Sequence, residues 1–374
     1  MEQAANERKF LTDADKFTDV SRGNPKPFKL QGEALVKARL TPETWRLEIV
    51  SDGSTQIEKP RKLEDGTAID LPAIQELGKQ HGIKFLKAMQ CLNIAQPLGQ
   101  GLWEGVPLRE VLKLAGKVNN IRRVYYWGFH NNDPKQLFQS SLAYNLVMET
   151  PPWDLCPFVA YKLNGQPISL LRGGPVRMVI PWAHGFKSIK WLQRITLTND
   201  FRANDTYAEA NNDPESYLKT MARIDDGPEV FKAGQSIALR GTAMVGWSGL
   251  RRVEYWLRPD AGAHGKLGDD DPAWKTAKWE ACDLDPAPED WSAHLPESVL
   301  AKDIWGFDAT GRPKQWPLRF SIATWNVTLK NLPPGAYEFR VRSIDLNGFA
   351  QPEPRPYPKS GRNEIQAKAL VVMA

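Results

Sequence analysis

The feature that most narrows the fold is a change of pattern near residue 225. From Ser236 onward, apolar and polar residues alternate in short runs: SIALRGTAMVG, LRRVEYWL, ATWNVTL, YEFRVRSID and KALVVM. Gly, Pro and Asp separate them. A period of two puts successive side chains on opposite faces of a strand, so each run has one face to bury and one to leave in water. Several short strands at this spacing predict a β-sandwich of immunoglobulin type over residues 226–374. There is no Cys-Trp-Cys pattern, so the expected likeness is to the architecture and not to an antibody domain.

Residues 1–225 carry no such regularity. Asp70 as N-cap, Pro72 in the first turn and Gly82 past the end predict a helix from Leu71 to about Gln80. PLREVLKLA at 107–115, closed by Gly116, predicts a second. Strands are expected at 44–50, 122–129, 157–163, 176–181 and 189–197, with residues 1–40 irregular and a linker around 208–228. Irregular mixing of short helices and strands indicates an α+β domain over 1–225, not regular βαβ repetition.

Bulk composition excludes several classes. The net charge of +5 comes from 49 basic and 44 acidic residues. That is too balanced for a dedicated nucleic-acid binder, although it helps an anion approach. Three widely spaced cysteines give no disulfide framework, and neither CxxC nor HExxH occurs. No CxxCH is present, so no haem is expected in this chain. No run approaches the roughly 18 apolar residues of a membrane span. The polar start, MEQAANERKF, has no apolar core of an export signal.

Four segments carry chemistry. Cys91 stands in KAMQCLNIAQPLGQGLWEGVPL, before an expected loop punctuated by Gly99, Gly101 and Gly105. A thiolate there suits a heavy transition metal, whereas most free cysteines are small buried hydrophobes. LLRGGPVRMVIPWAHGFKSIKWL, at 170–192, places Arg172, Arg177, Lys187 and Lys190 around glycine turns and apolar stretches. Cations at strand ends facing one edge suit phosphate better than a solvated surface. Arg22 lies in the stiff RGNPKPF loop, where a guanidinium can clamp an oxyanion or simply face water. Tyr207 lies in a polar turn-rich loop as a hydroxyl donor or an exposed ring, and His130 in GFHNNDPK is equally open.

In order along the chain, RGNP, MQCLN, LWEGVPLREVL, NNDPK, AYKLNGQPI, GGPVRMVIP, GFKSIKWL and the tyrosine loop resemble the sulfite oxidase family of molybdenum enzymes. So do VEYWLRPD and GAYEFRVRSIDLNGFAQPEP in the second half. The likeness is closest to bacterial members, including the molybdenum subunit of sulfane dehydrogenase. It implies a molybdenum–molybdopterin cofactor with Cys91 as the protein's thiolate ligand. Arg22 would face the substrate oxyanion and Tyr207 would be the active-site tyrosine. Arg177, Lys187, Ser188 and Lys190 would grip the pterin phosphate, with Asn24, His130, Asp133 and Arg172 in neighbouring cofactor-contacting stretches. The sandwich would serve as a homodimerisation domain.

The implied activity is oxidation of sulfite to sulfate, with electrons passed to an external acceptor such as a c-type cytochrome. Alternatives are oxidation of a protein-bound sulfane sulfur, reduction of an S-oxide, and a non-catalytic binding role. Where the family pattern CAGNRR has an arginine, this chain has Leu92 to Gln96, so one substrate-facing cation is missing. Arg355, Lys359 and Arg362 lie where a C-terminal arginine could complete the pocket. The expected compartment is periplasmic if an export signal has been removed, and otherwise cytoplasmic.

Overall fold

The computed structural model describes residues 9–94, 96–129, 138–203, 212–259, 267, 271–351, 361 and 363–374. The chain divides into two compact units, Met1–Tyr217 with Glu289–Lys314, and Leu218–Pro288 with Gln315–Ala374. Both are built mostly of strands with few helices.

The first unit holds two five-stranded sheets. In one, the order is Ile69–Asp70, Arg46–Ser51, Leu192–Thr198, Arg123–Gly128 and Gln139–Ala143. Only the pairing of Arg46–Ser51 with Leu192–Thr198 is parallel. In the other, Gln166–Pro167, Phe158–Leu163, Pro97–Pro107 and Ile83–Gln90 follow in order, and Arg177–Val179 also pairs with Phe158–Leu163. Trp45, Trp103 and Trp191 are fully buried, and burial demands a partner for each indole N–H. Trp45 donates to the Leu192 carbonyl (2.6 Å), Trp103 to Lys87 (3.2 Å) and Trp191 to Leu170 (2.8 Å).

The helix Leu71–His81 follows its local signals: the Asp70 side chain accepts from the Ala73 amide (2.9 Å), and Gly82 closes the end. The strand Pro97–Pro107 departs from expectation, because the glycines after Cys91 had predicted a loop. They serve close approach inside the sheet instead. A Cβ on Gly105 would stand 2.2 Å from the Val159 carbonyl oxygen of the adjoining strand. At Gly99, where φ is +149°, it would stand 2.6 Å from the Phe17 ring.

The second unit is a sandwich. One sheet runs Met221–Ile224, Ile237–Met244, Ile322–Leu329 and Asp283–Leu284. The other runs Val230–Lys232, Gln366–Met373, Gly335–Ile344, Arg252–Pro259 and Glu280–Ala281. Their inner faces share one core, in which Phe339 stacks between Tyr255 (5.4 Å) and Trp325 (6.3 Å). Two details of the expected organisation differ. Met221–Ile224, placed in the linker by its polar surroundings, is a sandwich strand paired with Ile237–Met244. Residues 289–314, read as part of the sandwich, group with the first unit. They do so through aromatic burial that local pattern does not reveal: Trp291 packs edge-on to Phe10 (4.9 Å) and Phe307 (4.9 Å), and Trp305 packs on Phe85 (5.6 Å).

Candidate active site

A cleft in the first unit encloses about 850 Å³ of empty space, part of it open to solvent. Cys91 lies on its wall, where the strand Ile83–Gln90 ends. Gln90 Nε2 donates to the carbonyls of Cys91 (3.1 Å) and Ile94, folding the chain back just after the strand and leaving Cys91 half-buried. Gly185 packs closely against this turn; a Cβ there would stand 3.3 Å from the Gln90 carbonyl oxygen.

The opposite chemistry comes from cations, of which Arg172 and Arg177 are buried. Arg177 donates to the carbonyls of Arg172 (2.7 Å) and Ser188 (2.6 Å) and lies 4.9 Å from the Trp103 ring centre. It thereby fixes the two segments flanking it. Arg172, only 4% exposed, lies over Phe17 (5.7 Å), and its Nε has no hydrogen-bond partner among the described residues. Lys190 donates to Ser21 Oγ (2.6 Å) and the Leu171 carbonyl (2.9 Å) and pairs with Asp19 (3.3 Å). Arg22, exposed at the rim, lies 4.8 Å from the Phe138 ring centre.

Crowding these charges away from water has an electrostatic consequence. Burial, with Arg172 adjacent, pushes Arg177 down to about 9. Burial also pushes Lys190 down to about 7, with Arg177 adding to the depression and Asp19 opposing it. Burial lowers Arg172 as well, against Asp19 and Asp15. Cations held this way gain from any anion that enters beside them.

The cleft therefore brings together Cys91, Arg22, Arg172, Arg177, Ser188 and Lys190. Two expected residues stand apart from its wall. Asn24 is exposed and does not line the cleft. Lys187 is fully buried, and its ammonium donates to the Ser141 carbonyl (2.9 Å). Tyr207, His130, Asp133, Arg355, Lys359 and Arg362 lie outside the described residues.

Sequence reasoning missed Asp19, Ser21 and Phe17, because the first forty residues have no periodicity, and Phe138, which no local motif marks. The one local sign was Asp19 two positions before Ser21, a spacing at which a carboxylate accepts from the later amide (3.0 Å). It also missed Lys87, fully buried, whose ammonium is held far below its usual range by burial and by Arg177. Lys87 donates to the carbonyls of Pro181 (2.7 Å) and Ala183 (3.1 Å), tying the strand of Cys91 to the segment that approaches Gly185.

Among the described residues no group of three or more His, Cys, Asp and Glu side chains could hold a metal ion. The donor set of the cleft is one thiol among cations. A metal bound there takes one protein ligand, and the ligand that carries it supplies the others. Arg172 with its unpartnered Nε, Arg177 and Lys190 suit a phosphate, and Phe17, Met89 and Trp103 suit a flat organic body. These residues fit a phosphate-bearing metal–pterin group.

Comparison with known proteins agrees. Residues 34–206 match the family model of the oxidoreductase molybdopterin binding domain. The nitrate reductase [NADPH] of Fusarium oxysporum is 35% identical over 138 residues, 36% of this chain. An inducible nitrate reductase [NADH] of Glycine max is 33% identical over 131 residues, 34% of this chain. Each match takes in only 14% of the relative's length. The sulfane dehydrogenase SoxCD of Paracoccus pantotrophus shares the fold, with a TM-score of 0.59 at 16% identity over 93% of this chain and 86% of that one. No helix among the described residues is long and apolar enough to cross a membrane.

Proposed function

We propose that this chain is a molybdenum-dependent oxidoreductase that oxidises a small sulfur oxyanion, sulfite in the first instance, and passes the electrons to an external acceptor such as a c-type cytochrome. The observation that carries the reading is the placement of Cys91 on the same cleft as the buried Arg172 and Arg177, the half-buried Lys190 and the rim arginine Arg22. When bound, the molybdenum–pterin group supplies the two-electron redox chemistry. Cys91 would give the metal its protein ligand. Arg172, Arg177 and Lys190 would hold the phosphate end.

Arg22 binds the incoming oxyanion, its guanidinium presenting paired donors to two oxygens. The apolar faces of Phe17, Met89 and Trp103 exclude water, which strengthens each of these charge interactions. Tyr207 would donate a hydroxyl hydrogen bond near the reacting oxygen. The sandwich would pair two copies, and export to the periplasm would place the enzyme beside cytochrome acceptors. A second reading, reduction of nitrate or an S-oxide, draws support from the identity to nitrate reductases.

The deciding experiment is molybdenum and pterin analysis of purified protein, followed by a panel. Sulfite and thiosulfate are assayed with cytochrome c as acceptor, and nitrate and a sulfoxide with a reduced viologen as donor. Stoichiometric metal with sulfite-dependent cytochrome reduction is expected. Turnover of nitrate or sulfoxide alone selects the second reading, and absence of metal and pterin overturns both.

A further inference from the structure

We propose that Asp19 is a positioning residue that holds Arg22 at the mouth of the cleft. This rests on the reading of the cleft as an oxyanion-binding redox site. Asp19 gathers donors from both sides of Arg22. Its Oδ1 accepts from the Ser21 amide (3.0 Å), the Ser21 hydroxyl and Lys190 (3.3 Å), while Oδ2 accepts from Lys26 (2.8 Å). Ser21 immediately precedes Arg22, and Lys26 follows it by one short loop, so one carboxylate closes that loop at both ends.

The anchoring of the segment is reinforced on its N-terminal side. The Thr18 amide donates to the Leu98 carbonyl (2.8 Å), and the Phe17 ring packs edge-on to Trp103 (6.1 Å). Arg22 then lies over Phe138. Burial alone would raise the Asp19 carboxyl. Hydrogen bonds from Lys26 and Ser21 and the charge of Lys190 outweigh it and hold the group well below the ordinary carboxylate range. The closure is therefore intact throughout neutral pH.

A carboxylate beside an anion site is at first sight a liability, since its charge repels the ligand. That gives the inference a sharp sign. If Asp19 acted through charge alone, its removal would tighten anion binding. If it positions Arg22, removal weakens binding, because a charge-assisted hydrogen bond needs its donor within reach and in line.

The test uses cofactor-loaded protein and sulfate, the non-reacting oxidised anion, titrated by calorimetry. Asp19→Glu keeps the charge and shifts the oxygens by one methylene; Asp19→Asn keeps the shape and drops the charge. We expect Kd to rise about threefold or more for Asp19→Glu and about tenfold for Asp19→Asn, at unchanged pterin content. Asp19→Glu binding sulfate as the wild type does, or Asp19→Asn binding it more tightly, overturns the positioning role and leaves the reading of the cleft standing. Should Asp19→Asn not fold, Asp19→Glu decides alone. Wild-type protein with neither pterin nor sulfate binding overturns the reading of the cleft, and this inference with it.

Discussion

Two regions of the molecule are rich in arginine and aromatic rings, and they treat their charges in opposite ways. On the outer face of the sandwich, Glu338 pairs with Arg258 (2.7 Å) and Arg340 (2.6 Å), and Glu254 pairs with Arg252 (2.6 Å) and Arg342 (2.8 Å). Rings cover the guanidinium groups: Arg342 lies 4.0 Å from the Trp279 ring centre and Arg340 5.1 Å from Trp274. Burial would raise Glu338, but the hydrogen bonds and charges of Arg340 and Arg258 hold it below its ordinary value. In the cleft, Arg172 and Arg177 also lie over rings, yet neither has a carboxylate within ion-pairing distance among the described residues. The sandwich ladder is closed upon itself. The cleft is short of negative charge, and that shortage is what a bound phosphate or oxyanion would meet.

Four measurements can break or sharpen this contrast. The largest effect belongs to Cys91→Ser, which should abolish sulfite turnover; full activity in that variant refutes the assignment of the thiol. Next, Arg177→Met strands the carbonyls of Arg172 and Ser188 inside the protein. It should lower stability by about 2–4 kcal/mol in urea unfolding and strip pterin from the purified protein. Unchanged pterin content would show that Arg177 has no part in holding the cofactor.

The third measurement is a pH series. Lys190 is held at about 7 in the folded state, below its unfolded value of 10.5, so between these limits the unfolded chain binds more protons. Stability of ligand-free protein should accordingly rise as pH increases from 7 toward 10, while affinity for a phosphate-bearing ligand falls as Lys190 loses its charge. Lys190→Met should make both trends shallower, with Lys87 and Arg177, also held below their ordinary values, keeping part of the rise in stability; unaltered slopes would assign the trends to those groups alone. The smallest effect is expected for Arg340→Met in the sandwich. Glu338 keeps Arg258, so the loss should be about 1 kcal/mol, with pterin content and turnover unchanged. A large loss of cofactor there would erase the distinction between the regions.

The sequence revealed what depends on near neighbours. Asp70, Pro72 and Gly82 mark the helix Leu71–His81 because caps act within one turn. The alternating runs mark the sandwich strands for the same reason. Features whose cause is distant were hidden. The glycines of Pro97–Pro107 answer to Val159 and Phe17, which no local window contains. Asp19 finds Lys190 across 171 positions. Lys187 and Lys190 stand three apart and look alike in sequence, but the fold sends one ammonium to the Ser141 carbonyl and the other to the cleft. Cys91 gained its meaning from the ordered motifs around it, since one free cysteine carries no chemistry on its own.

The return of Glu289–Lys314 to the first unit sets an order of events during synthesis. Tyr217 leaves the ribosome long before Trp291, Trp305 and Phe307, which complete the packing around Phe10 and Phe85. At roughly 5–20 residues per second, the cleft-bearing unit waits several seconds or more for its last piece. A chain cut after Tyr217 would leave Phe10 and Phe85 without those rings, so the first unit finishes its packing only after the segment ending at Lys314 has been made.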